Sequence, residues 1–412
     1  MAAPHRGSRR PGYLVAAAVF AVGMAGTTLP TPLYGMYRAQ IGFSELMVTV
    51  VFAVYAVGVI TSLLLAGDYS DQVGRRPVIL CALGFAAAAD LCFLFEAGLP
   101  PLFAGRLLSG FSAGLLTGAA TAAVLELAPP GRAARAGFAA TAANMGGLGC
   151  GTLLAGVLAE YAPAPLRLPF AVHLALVALA LVPARLLPET VSPTRRLPRG
   201  RPQGMAVAPR ARAVFPSAAI AAFAGFSLLG LFTAVAPSFV AETLGIDDLA
   251  LSGAVAFSAF LASTLGQLAT GRLGVRRSLP AGCLILVGGL LLVGASLWGE
   301  SLPLLLAGAL AGGFGQGLAF RAGLTAVGDA APREHRGGTI SAFFVVAYTG
   351  IAVPVVGVGA LTIPLGLRGA GLVFTAVVTL LALGVGLYLL RRPPTEEDAP
   401  ADPSADAPAD RR

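Results

Sequence analysis

Residues 67–77 have the sequence Gly-Asp-Tyr-Ser-Asp-Gln-Val-Gly-Arg-Arg-Pro and separate two apolar runs, residues 46–66 and 78–95. Each run is about as long as the ~20 residues that a helix needs to cross a bilayer. The stretch between them holds two acidic and two basic residues, in a chain where only 12% of the residues are charged. It is therefore predicted to form a short loop at a membrane face. A solvated turn whose arginines only set the topology is the simpler alternative to a functional motif.

The composition indicates an all-α integral membrane protein. Hydrophobic residues make up 56% of the 412 residues, and the mean hydropathy is +0.81. The charged fraction is about half of the ~25% found in soluble domains. The net charge of +8 comes from the predicted loops, so it indicates membrane orientation and not nucleic-acid binding. The four cysteines lie in apolar runs without a Cys-x-x-Cys pair, so neither a disulfide framework nor a metal site is expected.

Twelve apolar runs predict twelve membrane-spanning helices. Pro30 and Pro32 lie in the first run and are predicted to break or kink its outer part. The predicted spans, numbered 1 to 12 in chain order, cover residues 13–37, 46–66, 78–96, 101–127, 137–161, 168–187, 214–241, 249–271, 279–298, 302–328, 338–363 and 369–390.

The arginines of the loops predict the orientation of the chain. Most of them follow even-numbered spans, as do Arg75, Arg76, Arg132, Arg135, Arg195, Arg196, Arg272, Arg276, Arg277, Arg333, Arg336, Arg391 and Arg392. The connections after odd-numbered spans carry acidic residues instead, among them Glu45, Glu96, Glu160, Glu242, Asp247, Asp248 and Glu300. Positively charged loops stay on the cytoplasmic side. Both termini are therefore predicted to be cytoplasmic, in a plasma or inner membrane.

An internal repeat predicts two related halves. Three segments recur at one spacing of 203 residues: 103–114 with 306–317, 126–129 with 329–332, and 42–46 with 245–249. Repeats of this kind place a substrate site near the bilayer midplane, between the halves. The predicted organisation is a lead at 1–12, a six-helix half at 13–187, a cytoplasmic linker at 188–212, a second half at 213–391 and a disordered tail at 392–412.

The loop between spans 2 and 3 resembles a signature of the major facilitator superfamily, through Gly67, Asp71, Gly74, Arg75 and Arg76. The resemblance implies two six-helix halves, as in the twelve-span drug:proton antiporters. It also implies that the loop latches the N-terminal half in one of two alternating states. Its predicted partners lie at the end of span 4 and the start of span 5: Glu126, Arg132 and Arg135.

Asp90 and Arg106 are the charged residues well inside the predicted spans to which a role is assigned. Arg106, followed by Gly110 and Gly114, resembles the family's span 4 signature. A buried arginine costs about 2.5–3.5 kcal/mol on insertion scales, so it needs a partner unless it reaches the interface. Asp90 in span 3 is predicted at a similar depth, and the two are candidates for a proton-coupling pair or for a structural ion pair. His173 in span 6 is a further relay candidate, with a packing histidine as the alternative.

Two further residue sets come from the same resemblance. Span 5 is similar to an exporter signature at Gly147, Gly151 and Gly156, but Thr152 replaces its proline and Ala155 one glycine. Close helix packing explains such small residues equally well. The candidate cavity residues are given by resemblance only, with core or lipid-facing positions as the alternative: Tyr34, Phe239, Phe314, Gln316 and Phe320.

The sequence thus predicts a secondary active transporter, and specifically proton-coupled efflux of small, partly apolar compounds. Uptake of a small metabolite by proton symport is the first alternative, and a sensor or an intramembrane enzyme is the second. The spans lack the clustered catalytic groups that an enzyme needs, and the loops hold no sizeable soluble domain. The predicted partners are a small-molecule substrate, protons and the lipid bilayer. A monomer without a bound cofactor is expected, driven by the proton gradient.

Overall fold

The fold is described from a computed structural model that covers residues 12–66, 69–191, 207–332 and 335–391. Gly67, the tail and most of the predicted lead and linker lie outside these residues. The described residues form α-helices with short 3₁₀ and π segments and no strand. The α-helices are Gly12–Ala25, Tyr34–Ile41, Glu45–Ala66, Tyr69–Val73, Arg75–Leu94, Leu99–Glu126, Ala133–Thr141, Gly147–Tyr161, Leu168–Leu186, Phe215–Ala234, Ala236–Ser238, Leu249–Leu273, Val275–Gly299, Leu302–Ala330 and Arg336–Arg391.

These helices account for the twelve predicted spans. Ten helical stretches in the described residues are long and apolar enough to cross a membrane. The last of them, Arg336–Arg391, carries spans 11 and 12, because it kinks at Gly366, where φ is +69°. Gly366 has non-helical backbone angles (φ +69°, ψ 172°), so it separates two helices that correspond to these two spans. Span 1 is the remaining case, since it is divided between Gly12–Ala25 and Tyr34–Ile41.

The break in span 1 confirms the prediction from its prolines. Pro30 and Pro32 have no N–H group, so the helical hydrogen-bond pattern cannot pass through them. A short 3₁₀ segment, Thr31–Leu33, bridges the gap, and the Thr31 N–H donates to the Thr28 carbonyl at 3.0 Å. The carbonyl of Thr27 is thereby free to accept a hydrogen bond from another span.

Equivalent glycines set the packing of the two halves. A Cβ at Gly110 of span 4 would collide with the Tyr55 carbonyl oxygen of span 2. A Cβ at Gly313 of span 10, 203 residues later, would collide with the Ala259 carbonyl oxygen of span 8. Both helix pairs therefore pack with their backbones in direct contact. The repeat seen in the sequence is a repeat of helix packing.

The two halves meet at one end of the molecule, called here the far end. Arg38, after the break in span 1, forms ion pairs with Glu45 of its own half and with Glu242 of the C-terminal half. Nearby, a Glu160 carboxylate oxygen accepts a hydrogen bond from the Leu249 N–H at 2.9 Å. These contacts join spans 1 and 5 to spans 7 and 8 and close the far end.

At the opposite end, called the linker end, the halves diverge around a cavity of about 500 Å³. Its walls come from spans 2, 4 and 5 of one half and spans 7, 8, 10 and 11 of the other. The loop residues Ser70 and Asp71 lie at its mouth. The molecule therefore has a space between its halves that is open at the linker end and closed at the far end.

Candidate functional site

Aromatic side chains form one wall of the cavity. Phe226 lies 5.2 Å from Phe320 and 5.4 Å from Tyr348, measured between ring centroids. Phe344 completes the group, at 5.9 Å from Phe320 and 6.4 Å from Tyr348. These four residues, called here the aromatic wall, all belong to the C-terminal half. They offer ring faces and edges to an apolar guest.

The uncharged polar groups on the remaining walls are hydroxyls and amides. Thr117 and Asn144 come from the N-terminal half and Gln267 from the C-terminal half. Three charged side chains line the cavity within the described part of the chain: Asp71, Arg75 and Arg321. A mostly apolar cavity with a few placed polar groups is the usual character of a small-molecule site.

One of the five predicted cavity residues, Phe320, lines this space. Tyr34 lies in a separate depression at the far end, and Phe239 packs in an apolar gap bordered by Leu297. Gln316 is buried and accepts a hydrogen bond from the Ser263 hydroxyl at 2.6 Å. Phe314 does not line the cavity either. The space is open at one end only, so residues of cavity-lining helices that sit toward the closed end do not reach it.

Span 5 changes its helical geometry beside the cavity. Residues Ala142–Gly146 form a π-helical turn between Ala133–Thr141 and Gly147–Tyr161. Such single turns occur often at functional sites. Here the turn presents Asn144 and Met145 to the cavity. No residue type requires a π turn, so sequence patterns do not predict this one.

Arg106 is fully buried and does not bind Asp90, so the predicted pair is wrong. Its Nη1 donates to the Thr27 carbonyl at 2.6 Å, and its Nη2 donates to the Phe52 carbonyl at 3.4 Å. The guanidinium lies 4.7 Å from the centroid of the Tyr55 ring. Because the break in span 1 leaves the Thr27 carbonyl free, it is a ready acceptor at the negative end of a helix dipole. Arg106 thus holds the broken end of span 1.

Asp90 pairs with His173 instead. The Nδ1 atom of His173 lies 2.7 Å from an Asp90 carboxylate oxygen, and its Nε2 lies 2.9 Å from the Val22 carbonyl oxygen. Both residues are buried: Asp90 is 2% exposed and His173 is 0% exposed. Both ring nitrogens thus face oxygen atoms that accept hydrogen bonds. A neutral histidine carries one ring proton, so it cannot satisfy two acceptors. The geometry fits a pair that shares an additional proton and is neutral overall.

The loop between spans 2 and 3 is tied to the N-terminal half. The Arg75 guanidinium lies 2.5 Å from the Asp71 carboxylate and 3.0 Å from the Glu126 carboxylate. The carboxylate of Glu189 accepts the backbone N–H groups of Arg75 at 2.8 Å and Arg76 at 3.1 Å, and so caps the start of span 3. Glu189 lies in the predicted linker, which is why sequence reasoning missed it.

The other predicted members of this loop motif form fewer contacts with Arg75. Arg132 and Arg135 are exposed and form no ion pair within the described residues, so of the three predicted partners only Glu126 contacts Arg75. Gly74 has a φ of +111°, which favours glycine over any other residue. These contacts therefore join spans 3, 4 and 6 around Arg75.

The three glycines of the span 5 signature lie against the backbones of other spans. A Cβ at Gly147 would approach the Ala21 carbonyl oxygen, and one at Gly151 would collide with that of Ala25, both in span 1. A Cβ at Gly156 would collide with the Leu249 carbonyl oxygen of span 8. The first two glycines bring span 5 against span 1, and the third brings the two halves together.

A family model described as Major Facilitator Superfamily matches residues 15–286 and 248–410. Multidrug resistance protein MdtL from Salmonella typhimurium is 42% identical over 86 residues, 20% of this chain and 21% of that protein. MdtL from Salmonella schwarzengrund matches to the same extent. The aligned part thus spans about a fifth of the length of these relatives.

Solved structures share the fold across most of the chain. The human organic anion transporter MFSD10 has a TM-score of 0.65 at 18% identity, covering 92% of this chain and all of that one. A bacterial homologue of the human lysosomal transporter Spinster, inward-facing and unoccupied, has a TM-score of 0.73 at 14% identity, covering 97% and 100%. With the family match over most of its length, this chain is a multi-pass transporter that belongs to the Major Facilitator Superfamily.

Proposed function

We propose that this protein is a proton-coupled exporter of small, partly apolar compounds. The observation that carries the proposal is the cavity between the two halves, open at the linker end and closed at the far end. A transporter that alternates between two such states exposes one site to each side of the membrane in turn. The aromatic wall gives that site an apolar surface, as a partly apolar substrate requires.

The loop arginines support an assignment of the membrane side on which the cavity opens. Their excess in the linker-end loops supports a cytoplasmic linker end, with both termini in the cytoplasm. The cavity would then load from the cytoplasm, as export requires. The partial similarity to the multidrug resistance protein MdtL also supports export.

The Asp90–His173 pair is the proposed carrier of the coupling proton. His173 contacts span 1 through the Val22 carbonyl, just before the break in that span. If span 1 shifts when the halves rock, Nε2 loses its acceptor and the shared proton loses its stabilisation. Proton binding would then favour one of the two states, which is the condition for coupling.

The variant Asp90→Asn tests this proposal sharply. An asparagine amide N–H can donate to Nδ1 of His173 while Nε2–H still donates to the Val22 carbonyl, so every hydrogen bond is kept and only the additional proton is lost. We expect the variant to lose transport driven by a pH gradient in proteoliposomes, to keep downhill exchange of substrate, and to melt within a few degrees of the unaltered protein.

The controls separate coupling from folding. Asp329→Asn changes an exposed acid at the end of span 10 that takes no part in the buried pair, so it should keep pH-driven transport. Full pH-driven activity in Asp90→Asn would overturn the coupling role. Accumulation of substrate inside vesicles in the direction of proton flow would show symport instead of export.

A further inference from the structure

Arg321 is the one charged residue of the cavity wall that has no opposite charge beside it in the described part of the chain. It lies on span 10 next to Phe320 and is exposed to the cavity. The other two charged residues, Asp71 and Arg75, form an ion pair with each other at 2.5 Å, and Arg75 also pairs with Glu126, which does not line the cavity. The cavity therefore carries one uncompensated positive charge beside its aromatic wall.

The two halves differ at this position. The residue 203 positions before Arg321 is Gly118, which also lines the cavity and has no atoms within 4 Å of the place where a Cβ would lie. The N-terminal half thus leaves room where the C-terminal half places a guanidinium. Because both positions line one cavity, a ligand beside Arg321 has unfilled space on the Gly118 side.

Closing the linker end makes the unpaired charge of Arg321 energetically unfavourable. In the open state, water in the cavity hydrates the guanidinium. Once the halves close and water leaves, an unpaired charge inside the membrane is strongly unfavourable. A ligand that carries a negative charge removes this penalty, and it would therefore favour closure around itself.

We propose that the substrates are organic anions with an aromatic or similarly apolar body, and that Arg321 binds their carboxylate or sulfonate group. A planar guanidinium can hold a carboxylate through two parallel hydrogen bonds. The aromatic wall lies beside Arg321 through Phe320, so one ligand of moderate size contacts both. This inference names the substrate class of the proposed exporter and rests on that function.

Three probes with one ring system and different charges test the substrate class: 2-naphthoate, 2-naphthylmethanol and 2-naphthylmethylamine. Binding to the purified full-length protein is measured by titration calorimetry, and transport is measured in proteoliposomes. We expect the unaltered protein to bind the naphthoate best and the amine worst. Arg321→Gln should weaken naphthoate binding about 10- to 100-fold, as loss of a charged hydrogen-bond partner implies.

Matched variants keep the outcome interpretable. Arg321→Lys keeps the charge without the two-pronged geometry and should recover part of the affinity. Arg276→Gln removes an exposed arginine that borders a different depression and should leave naphthoate binding unchanged. Binding of the alcohol should stay within about three-fold in Arg321→Gln, which also shows that the variant is folded.

The outcomes distinguish the two proposals. If the alcohol or the amine is bound and exported in preference to the naphthoate, or if Arg321→Gln leaves naphthoate binding intact, the anion preference is overturned and the export function stands. If the unaltered protein moves none of the three probes and no other apolar compound, the export function falls and the substrate class falls with it.

Discussion

The N-terminal half buries Asp90 and Arg106, whereas the positions 203 residues later in the C-terminal half hold Val293 and Ala309. The difference reverses at the cavity, where the four residues of the aromatic wall and Arg321 all come from the C-terminal half. The two halves therefore share a packing pattern but not their chemistry. We propose a division of labour between them, in which the N-terminal half carries the proton and the C-terminal half recognises the substrate.

Mutations that disturb the shared helix packing should reduce stability most, and by the same amount in both halves. Gly110→Val and Gly313→Val each drive a side chain into the carbonyl of a neighbouring span. We expect each to cost about 3 kcal/mol or more, since overpacking a rigid backbone contact leaves little room to adjust. The yield of monodisperse protein on size-exclusion chromatography measures the loss.

Control glycines are available in both halves. Gly84→Ala and Gly288→Ala place a methyl group where no atom lies within 4 Å, so both should keep a normal yield. A severe loss in one half with tolerance in the other would break the symmetry of the packing.

Substitutions of buried polar groups should cost the N-terminal half more stability than the C-terminal half. Arg106→Met removes a cation that binds two carbonyl groups and contacts the Tyr55 ring, and we expect a loss of roughly 2–4 kcal/mol of stability. Gln316→Met in the C-terminal half removes one hydrogen bond from Ser263, and its buried amide nitrogen has no partner among the described residues. Its cost should be about 1 kcal/mol or less.

Thermal unfolding in detergent compares these two variants. Equal melting temperatures for Arg106→Met and Gln316→Met would contradict the view that the N-terminal half depends more on its buried polar contacts.

Mutations in the linker-end loops should give the smallest difference between the halves, seen in the transport rate. Arg75→Ala removes the contacts with Asp71 and Glu126, and we expect transport to slow about five-fold, equivalent to the ~1 kcal/mol of a partly exposed ion-pair network. Arg276→Ala changes an arginine of the corresponding C-terminal loop that forms no ion pair in the described residues, so its rate should stay unchanged. Initial rates at equal protein level decide this comparison, and equal rates for both variants would remove the latch.

The sequence predicted the features that depend on composition and on residue types with fixed geometry. The apolar runs gave the spans, and Pro30 and Pro32 gave the break in span 1 because proline has no N–H group. The repeat spacing predicted the two halves. Arg75 and Glu126 were placed together because both were assigned to the same membrane face.

The partners of the buried charges could not be predicted in this way. Counting residues from a turn gives the depth of Asp90 and Arg106 but not the direction in which each side chain leaves its helix. Asp90 faces His173, three spans further along the chain, and Arg106 faces a backbone carbonyl that no sequence pattern marks. The same limit explains why only Phe320 was correctly placed in the cavity wall. Nothing in the sequence marks Arg321 for a role, since it is a lone arginine in an otherwise apolar run.

The number of protons that move with each substrate molecule tests the division of labour most directly. It is measured in proteoliposomes with a pH-sensitive dye beside labelled substrate, for Asp90→Asn and for Phe320→Ala. We expect Asp90→Asn to bind substrate normally and to move no protons, and Phe320→Ala to bind substrate more weakly with the proton ratio unchanged. Normal proton movement in Asp90→Asn, or a lost proton ratio in Phe320→Ala, would contradict the account.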